Sequence, residues 1–456
     1  MARRPGGYRA PLGEVKGMAM VEHPARRKVA GSALTTPNFM LLFAAMLVAA
    51  AGNTALQSVM PAIGRAMKID DLFVAIAYTS SAVLWVGLAP YWARMSDRHG
   101  RKALTLLGIG GFIVSMALCG LVLLFGLSGA LSGSLTLILF AFARAIYGAL
   151  GSATPSATQA YLASRTRRSA RVSALSSLSS SFGLGTIVGP ALAPLFVLPF
   201  VGLTGPLFAF AVIALVVFVA ILRWLPDDSI PRHGKRRGHG AAMSYPSIAS
   251  SPTGASVVAS TAPRGNRLKW NDRRIRNWII AGVISGHAQA AVLTCLGFFV
   301  IDQLNLVPRG SEQSIAIVMM AGAAATLAAQ WGLIPKLALG PRALILWGSA
   351  IAAIGTAATM FADDLYGLVL GFAFASLGFG FTRPGFTAGA SLAVPLAEQG
   401  GVAGVITAAN GIAYVAAPTI GMALYALDPR WPFAMSAALL LGLVVWGQSA
   451  LRPARA

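Results

Sequence analysis

The chain has 456 residues, 56% of them hydrophobic and only 11% charged. A soluble globule carries about a quarter charged residues, so this balance excludes one and points to a multi-span membrane protein. The formal net charge of +22 would suit a nucleic-acid partner on a polar surface, but its placement along the chain assigns it to one membrane face instead.

Residues 1–38 are polar and basic, with Arg3, Arg4, Arg9, Lys16, Arg26, Arg27 and Lys28. They read as a cytoplasmic tail rather than a signal peptide, because the first apolar run starts only near Phe39 and continues without a clear cleavage site. Twelve apolar runs follow, at about 39–63, 72–93, 103–126, 134–160, 173–198, 205–225, 277–301, 312–335, 343–361, 365–384, 401–425 and 432–450. Each is long enough to cross a hydrocarbon core of about 30 Å as a helix. An even number of spans puts both termini on one side.

Between the second and third runs stands Arg94-Met95-Ser96-Asp97-Arg98-His99-Gly100-Arg101-Lys102. Such a knot of charge cannot lie in hydrocarbon, so it is expected in a short turn at the membrane surface. Short loops rich in Lys and Arg are as a rule cytoplasmic. With that orientation about thirty of the 36 Lys and Arg face inward, and Arg65, Lys68, Arg309 and Arg430 face outward.

Residues 226–276 open with Pro226-Asp227-Asp228, pass through Lys235-Arg236-Arg237 and close with Arg273, Arg274 and Arg276. Their middle has too little large apolar content to fold alone and is expected to be a disordered cytoplasmic linker. It separates six spans in 39–225 from six in 277–451, with a short tail at 452–456. The halves echo each other. Gly100-Arg101-Lys102-Ala103-Leu104 is matched by Gly340-Pro341-Arg342-Ala343-Leu344, and Gly151 with Pro155 by Gly380 with Pro384. Gly183, Gly189-Pro190 and Ala193 are matched by Gly411, Ala417-Pro418 and Gly421. The shared order and nearly constant offset indicate a parallel repeat, an architecture that places a substrate site between the halves.

Polar groups inside spans need a reason to be there. Asn53 and Gln57 share a face of span one; Arg144 and Tyr147 are neighbours in span four. His287, Ala291 and Thr294 share a face of span seven, as do Thr407, Asn410 and Tyr414 in span eleven. All fourteen acidic residues fall in tails, loops or helix ends. The histidines are scattered and Cys119 and Cys295 lie in separate runs, so no metal site, cofactor or disulfide framework is expected. Nor is there a catalytic cluster of the kind a polytopic membrane enzyme needs.

These residues make the chain resemble the major facilitator superfamily, and within it the twelve-span drug:proton antiporters. The charged turn is similar to the family's G-x-x-x-D-R-x-G-R-K signature, with Asp97, Arg98, Gly100, Arg101 and Lys102 matching and Ala93 at the leading glycine. Arg144 with Gly148 resembles the span-four motif R-x-x-x-G, and Gly189-Pro190 the span-five motif G-P-x-x-G, with Ala193 at its last glycine. The resemblance implies an all-α membrane protein of twelve transmembrane helices in two parallel six-helix repeats, the major facilitator fold.

It further implies that Asp97, Arg98, Gly100, Arg101 and Lys102 form a cytoplasmic gate and that Gly189 and Pro190 serve helix packing. Because spans one, four, seven and eleven line the central cavity in that fold, Asn53, Gln57, Arg144, Tyr147, His287, Asn410 and Tyr414 are its candidate residues. The implied function is secondary transport of a small organic molecule across the plasma membrane by alternating access, with proton-coupled export; an uncoupled importer or uniporter is the alternative. Many relatives carry a carboxylate in span one, where this chain has Asn53, and an amide does not take up a proton near neutral pH. His287, whose imidazole titrates in the useful range, is the first candidate carrier, with Asp302 second and Arg144 implicated by the resemblance. A cavity with Arg144 and no fixed anion disfavours cationic substrates relative to neutral, weakly acidic or zwitterionic ones. The remaining expectations are a bacterial inner-membrane location, both termini cytoplasmic, contact with membrane lipid, no nucleic-acid partner and a monomer.

Overall fold

The computed structural model describes residues 36–165, 168–227, 271–308, 310–337, 339–394 and 398–451. The tails and nearly all of the expected linker lie outside the described residues, as do the side chains of Asp97, Arg98 and Tyr414.

The described chain is a set of twelve helical rods. In order they are α1 (Thr36–Ala66), α2 (Asp71–His99), α3 (Arg101–Leu127), α4 (Gly133–Ile146, a π turn at Tyr147–Gly151, then Ala153–Arg165), α5 (Arg168–Leu192, ending in a 3₁₀ turn at Ala193–Phe196) and α6 (Gly205–Trp224). The second six are α7 (Arg276–Gln303), α8 (Ser311–Leu327, a π turn at Ala328–Leu333, then Ile334–Leu337), α9 (Pro341–Phe361), α10 (Leu365–Leu392), α11 (Gln399–Tyr425) and α12 (Trp431–Ala450). Ten of the rods are long and apolar enough to cross a membrane, and the serine-rich α5 offers a shorter apolar stretch, Ser180–Phe196. Large apolar side chains point outward on many of them, such as Phe142, Val216, Leu370 and Val445, each more than half exposed. That is the surface of a protein solvated by lipid.

Helix starts follow from local chemistry. Asp70, Ser132 and Asp364 cap α2, α4 and α10 by accepting the backbone N–H of Leu72, Leu135 and Gly367. Prolines open α6, α9 and α12, where a missing N–H costs nothing. The stretch 94–102 departs from the sequence expectation. Instead of forming a loop, α2 stays helical through His99 and α3 begins at Arg101, leaving Gly100 alone as the turn. Its φ of 95° is open to glycine and strained for other residues. An apolar run marks where hydrocarbon ends, whereas a helix is free to run on into the polar layer.

The packing repeats. α1 lies against α5 and α7 against α11; α2 against α4 and α8 against α10; α3 against α6 and α9 against α12. These are two parallel six-helix repeats. They meet along α1–α7, α2–α11 and α5–α8. Between α2 and α11 the hydroxyls of Thr79 and Thr419 are 3.1 Å apart.

On the face carrying Gly100, called the basic face below, the exit of α6 is tied to its own half. Lys102 pairs with Asp227 at 3.0 Å, Arg165 donates to the Asp227 carbonyl, and the Tyr161 hydroxyl donates to the Pro226 carbonyl. At the entry to α7, Arg274 bridges Asp272 and Glu398, and its hydrogen bonds hold the Asp272 carboxyl down at about 2.

Candidate functional site

The π turn in α4 shapes the first part of the site. A π turn widens the helix and loosens its carbonyl pairing, so side chains from neighbouring helices step in. Ser115 of α3 donates to the Ala143 carbonyl at 2.7 Å, Ser81 of α2 to Arg144 at 3.0 Å, and Trp92 to Ala149 at 2.6 Å. Gly148 makes the closest approach in this group. A Cβ there would lie 2.3 Å from the Ser81 carbonyl oxygen. The R-x-x-x-G spacing therefore does two things at once: the glycine lets α2 touch α4, and the arginine backbone is pinned by that same contact.

The Arg144 side chain is 3% exposed. One of its nitrogens, Nη2, donates to Asn53 Oδ1 at 2.9 Å. Its guanidinium sits between two aromatic faces, 5.0 Å from the Tyr78 ring centroid and 5.2 Å from that of Tyr147. Its Nε and Nη1 find no acceptor among the described residues. Trp85 and Phe112 pack on Tyr147 and fix its ring.

Two cavities lie along the seam between the repeats. One is lined by Gln57, Met60, Tyr78, Leu293, Thr294 and Phe298 among others. The other is lined by Thr54, Gln289, Thr326, Phe372 and Ser376 among others. They adjoin across Leu293 and Met319, the first between α1, α2, α7 and α8 and the second between α1, α5, α7, α8 and α10, and are together called the central space below.

The face opposite the basic one is closed by an ion network that links the repeats. Arg65, at the end of α1, places Nη2 2.7 Å from Asp71 Oδ2 on α2 and 2.7 Å from Asp302 Oδ2 on α7. The hydroxyl of Tyr425 on α11 donates to that same Asp302 oxygen at 2.6 Å. Beneath it, Gly297 packs on Pro61 and Cys295 meets Met422 at 3.5 Å.

The sequence-derived candidates divide accordingly. Asn53, Arg144 and Tyr147 come together, and Gln57, one helical turn from Asn53, lines the central space. His287 is partly buried, and its Nδ1 donates to the carbonyl of Val283 in its own helix at 2.9 Å. Asn53, Arg144, Tyr147, His287 and Asn410 do not themselves line the two cavities described; the Arg144 cluster lies behind Tyr78, which does. Asp302 belongs to the closing network rather than to the Arg144 cluster. Gly189 allows α5 to cross α1, for a Cβ there would meet the Ala51 carbonyl and the Thr54 hydroxyl at 2.2 Å. Pro190 is accommodated within α5, which stays helical to Leu192. Of the signature residues, Gly100 makes the turn and Lys102 the pair with Asp227.

Sequence reading missed Tyr78, Arg65, Asp71, Tyr425 and Arg383. Arg383 is a second buried arginine, 7% exposed, on α10. It stands one residue from the end of the apolar run 365–384, so its signal was weaker than that of Arg144.

Residues 42–337 match the model of the Major Facilitator Superfamily. Multidrug resistance protein 2 of Bacillus subtilis (strain 168) is 26% identical over 425 residues, 90% of this chain and 94% of that protein. Among solved structures, the human organic anion transporter MFSD10 (TETRAN) superposes with a TM-score of 0.61 at 18% identity, over 90% of this chain and 99% of that one. The nucleoside transporter NupG superposes with a TM-score of 0.68 at 10% identity, over 91% and 100%. A POT family transporter in complex with a thioalcohol-conjugated peptide gives 0.66 at 15%, over 91% and 96%. These structural likenesses show a shared fold.

Proposed function

The chain belongs to the Major Facilitator Superfamily and is a multi-pass membrane transporter of small substrates; from that premise we propose that it exports organic molecules in exchange for protons. The observation that carries the reading is a mostly apolar central space with a few polar groups on the seam between two repeats, sealed on one face by ions drawn from both. Alternating access needs such a seal, which must break when the repeats rock apart. The concentration of Lys and Arg on the basic face makes that face cytoplasmic, with both termini inside and the network as the outer gate. The bacterial relative, named for multidrug resistance, favours export from a bacterial inner membrane. The protein works as a monomer, since one chain holds the whole cavity.

Proton traffic is assigned to the outer network rather than to the centre. Asn53 has an amide where a carboxylate would titrate, and Arg144 does not give up its proton in a protein. In the network two carboxylates, Asp71 and Asp302, share one guanidinium. One negative charge is left over, and a proton arriving from outside neutralises it and loosens the gate. The test is proton movement in inside-out vesicles on adding cationic, neutral and anionic dyes. Substrate-dependent proton movement is expected in the native protein, abolished in Asp302→Asn and retained in His287→Ala. Dye flux without proton movement in the native protein would favour the uniporter reading, to which the amide at Asn53 lends some support. Loss of proton movement in His287→Ala alone would return the carrier to α7.

A further inference from the structure

We propose that the central space takes an organic anion, a carboxylate on an apolar body of aromatic size, with Arg144 as its counter-charge and Tyr78 and Gln57 as its polar contacts. The inference rests on the transport reading and narrows it to a substrate class. Its starting point is a charge without a partner. Arg144 is 97% shielded by the fold, yet Asn53 supplies only one amide oxygen and the two tyrosines only ring faces. Neither contact neutralises a full positive charge held away from water. Among the described residues no carboxylate forms an ion pair with it. A membrane protein that keeps such a cation holds it for something that arrives with the opposite sign.

A second observation points the same way. Nε and Nη1 of Arg144, the Tyr78 hydroxyl and both polar atoms of the Gln57 amide are all buried and all lack a partner among the described residues. Arg144 does not itself line the cavity, but it is joined to it through Tyr78. The guanidinium lies over the Tyr78 ring, Tyr78 and Gln57 line the same cavity, and Gln57 stands one helical turn from the Asn53 that holds Arg144. Buried polar groups are ordinarily paired, so a cluster of unpaired ones beside a cavity marks where ligand atoms complete the set. Most of these atoms are donors: two guanidinium N–H groups, a phenol O–H and an amide N–H₂. A carboxylate offers only acceptors and fits them. Apart from Thr294, whose hydroxyl is engaged by the Ala290 carbonyl, the remaining wall of that cavity is apolar, with Met60, Val74, Leu293, Phe298 and Met319 its larger side chains, which suits a hydrocarbon or aromatic body rather than a sugar or peptide. A cationic molecule would face Arg144 with no compensating carboxylate.

Three probes of one shape test this: naphthalene-2-carboxylate, 2-naphthamide and 2-naphthylmethylammonium, titrated into the purified full-length protein in lipid nanodiscs and followed by tryptophan fluorescence. The carboxylate is expected to bind at least about tenfold more tightly than the amide, and the ammonium most weakly. Arg144→Gln should bring carboxylate and amide to within about twofold of each other, with Arg144→Lys between that variant and the native protein. Tyr78→Phe keeps the ring under the guanidinium and removes only the orphaned hydroxyl. It should weaken the carboxylate about threefold to tenfold and leave the amide nearly unchanged, which guards against reading a folding defect in Arg144→Gln as a binding effect. Equal binding of carboxylate and amide, a preference for the ammonium, or no binding by any of the three overturns the assignment. A carboxylate bound selectively but not carried in proteoliposomes leaves the site standing and sinks the transport reading. An ammonium probe carried without a carboxylate preference does the reverse.

Discussion

The contact between α2 and α4 and the one between α8 and α10 are built alike and equipped differently. In the first, the Ser81 hydroxyl donates to the Arg144 carbonyl and Gly148 lies against Ser81. In the second, the Thr326 hydroxyl donates to the Ser376 carbonyl at 3.1 Å and Gly380 lies against Thr326 and Ala329. Arg144-x-x-x-Gly148 and Ser376-x-x-x-Gly380 are thus counterparts by what they touch. This revises the sequence match of Gly380 with Gly151, whose own neighbours are Tyr147 and Trp85. The scaffold was duplicated, but this contact carries its arginine in one copy only: the counterpart of Arg144 is Ser376, and the buried arginine of the second repeat, Arg383, stands further along α10. Packing devices can be shared between repeats while the charges they carry are placed differently.

The comparison is sharpest at the two glycines. A Cβ on Gly148 would press into the Ser81 backbone at 2.3 Å, while one on Gly380 would meet the Ala329 methyl at 2.8 Å and the Thr326 carbonyl only at 3.2 Å. Gly148→Ala is therefore expected to destabilise by about 1–3 kcal/mol and Gly380→Ala by less than about half of that. Thermal unfolding of the two purified variants measures the difference. Equal losses would mean that the two contacts are alike in tightness as well as in plan.

A second contrast sets the outer network, which joins the repeats, against the Lys102–Asp227 pair, which stays within one. Tyr425→Phe removes a hydrogen bond to a charged group, a contribution of about 1.5–3 kcal/mol. The population with the outer face open should rise roughly tenfold or more. Cys295, buried beside Met422 below the network, is a native reporter: its maleimide labelling should quicken in proportion. Unchanged labelling would remove Tyr425 from the gate. The smallest effect belongs to Lys102→Met. Asp227 is 88% exposed in that pair, so the loss is expected below about 1 kcal/mol in the same unfolding measurement. A loss as large as that from Gly148→Ala would show that tying the exit of α6 matters more than solvent screening allows.

What could be read ahead of the structure followed physical range. The apolar helices, the repeat and the placement of Arg144 inside one of them are properties of local hydropathy and of single residues, and they were legible. So was the pairing of Arg144 with Asn53 in one region, because the resemblance placed both near the cavity. The outer network was not legible. Arg65, Asp71, Asp302 and Tyr425 each look like an ordinary polar residue at a helix end, and only the packing of four rods converts them into one object. The π turn at Tyr147–Gly151 was hidden for another reason, since nothing in an apolar run marks where a helix gains a residue per turn. His287 was legible as a titratable type, whereas the bond from its Nδ1 to the Val283 carbonyl of its own helix needed the structure.

The network also has a temporal consequence. Its ionic contacts converge on one nitrogen of Arg65, and two of its three bonds end on one oxygen of Asp302. A seal made of many separate bonds could fray one at a time, passing through half-open forms that leak. A seal knotted at a single point has no partial form to dwell in. Its release is one event over one barrier, so individual molecules should stay shut for exponentially distributed waiting times. Any change at Arg65 should rescale that clock without altering the shape of its distribution.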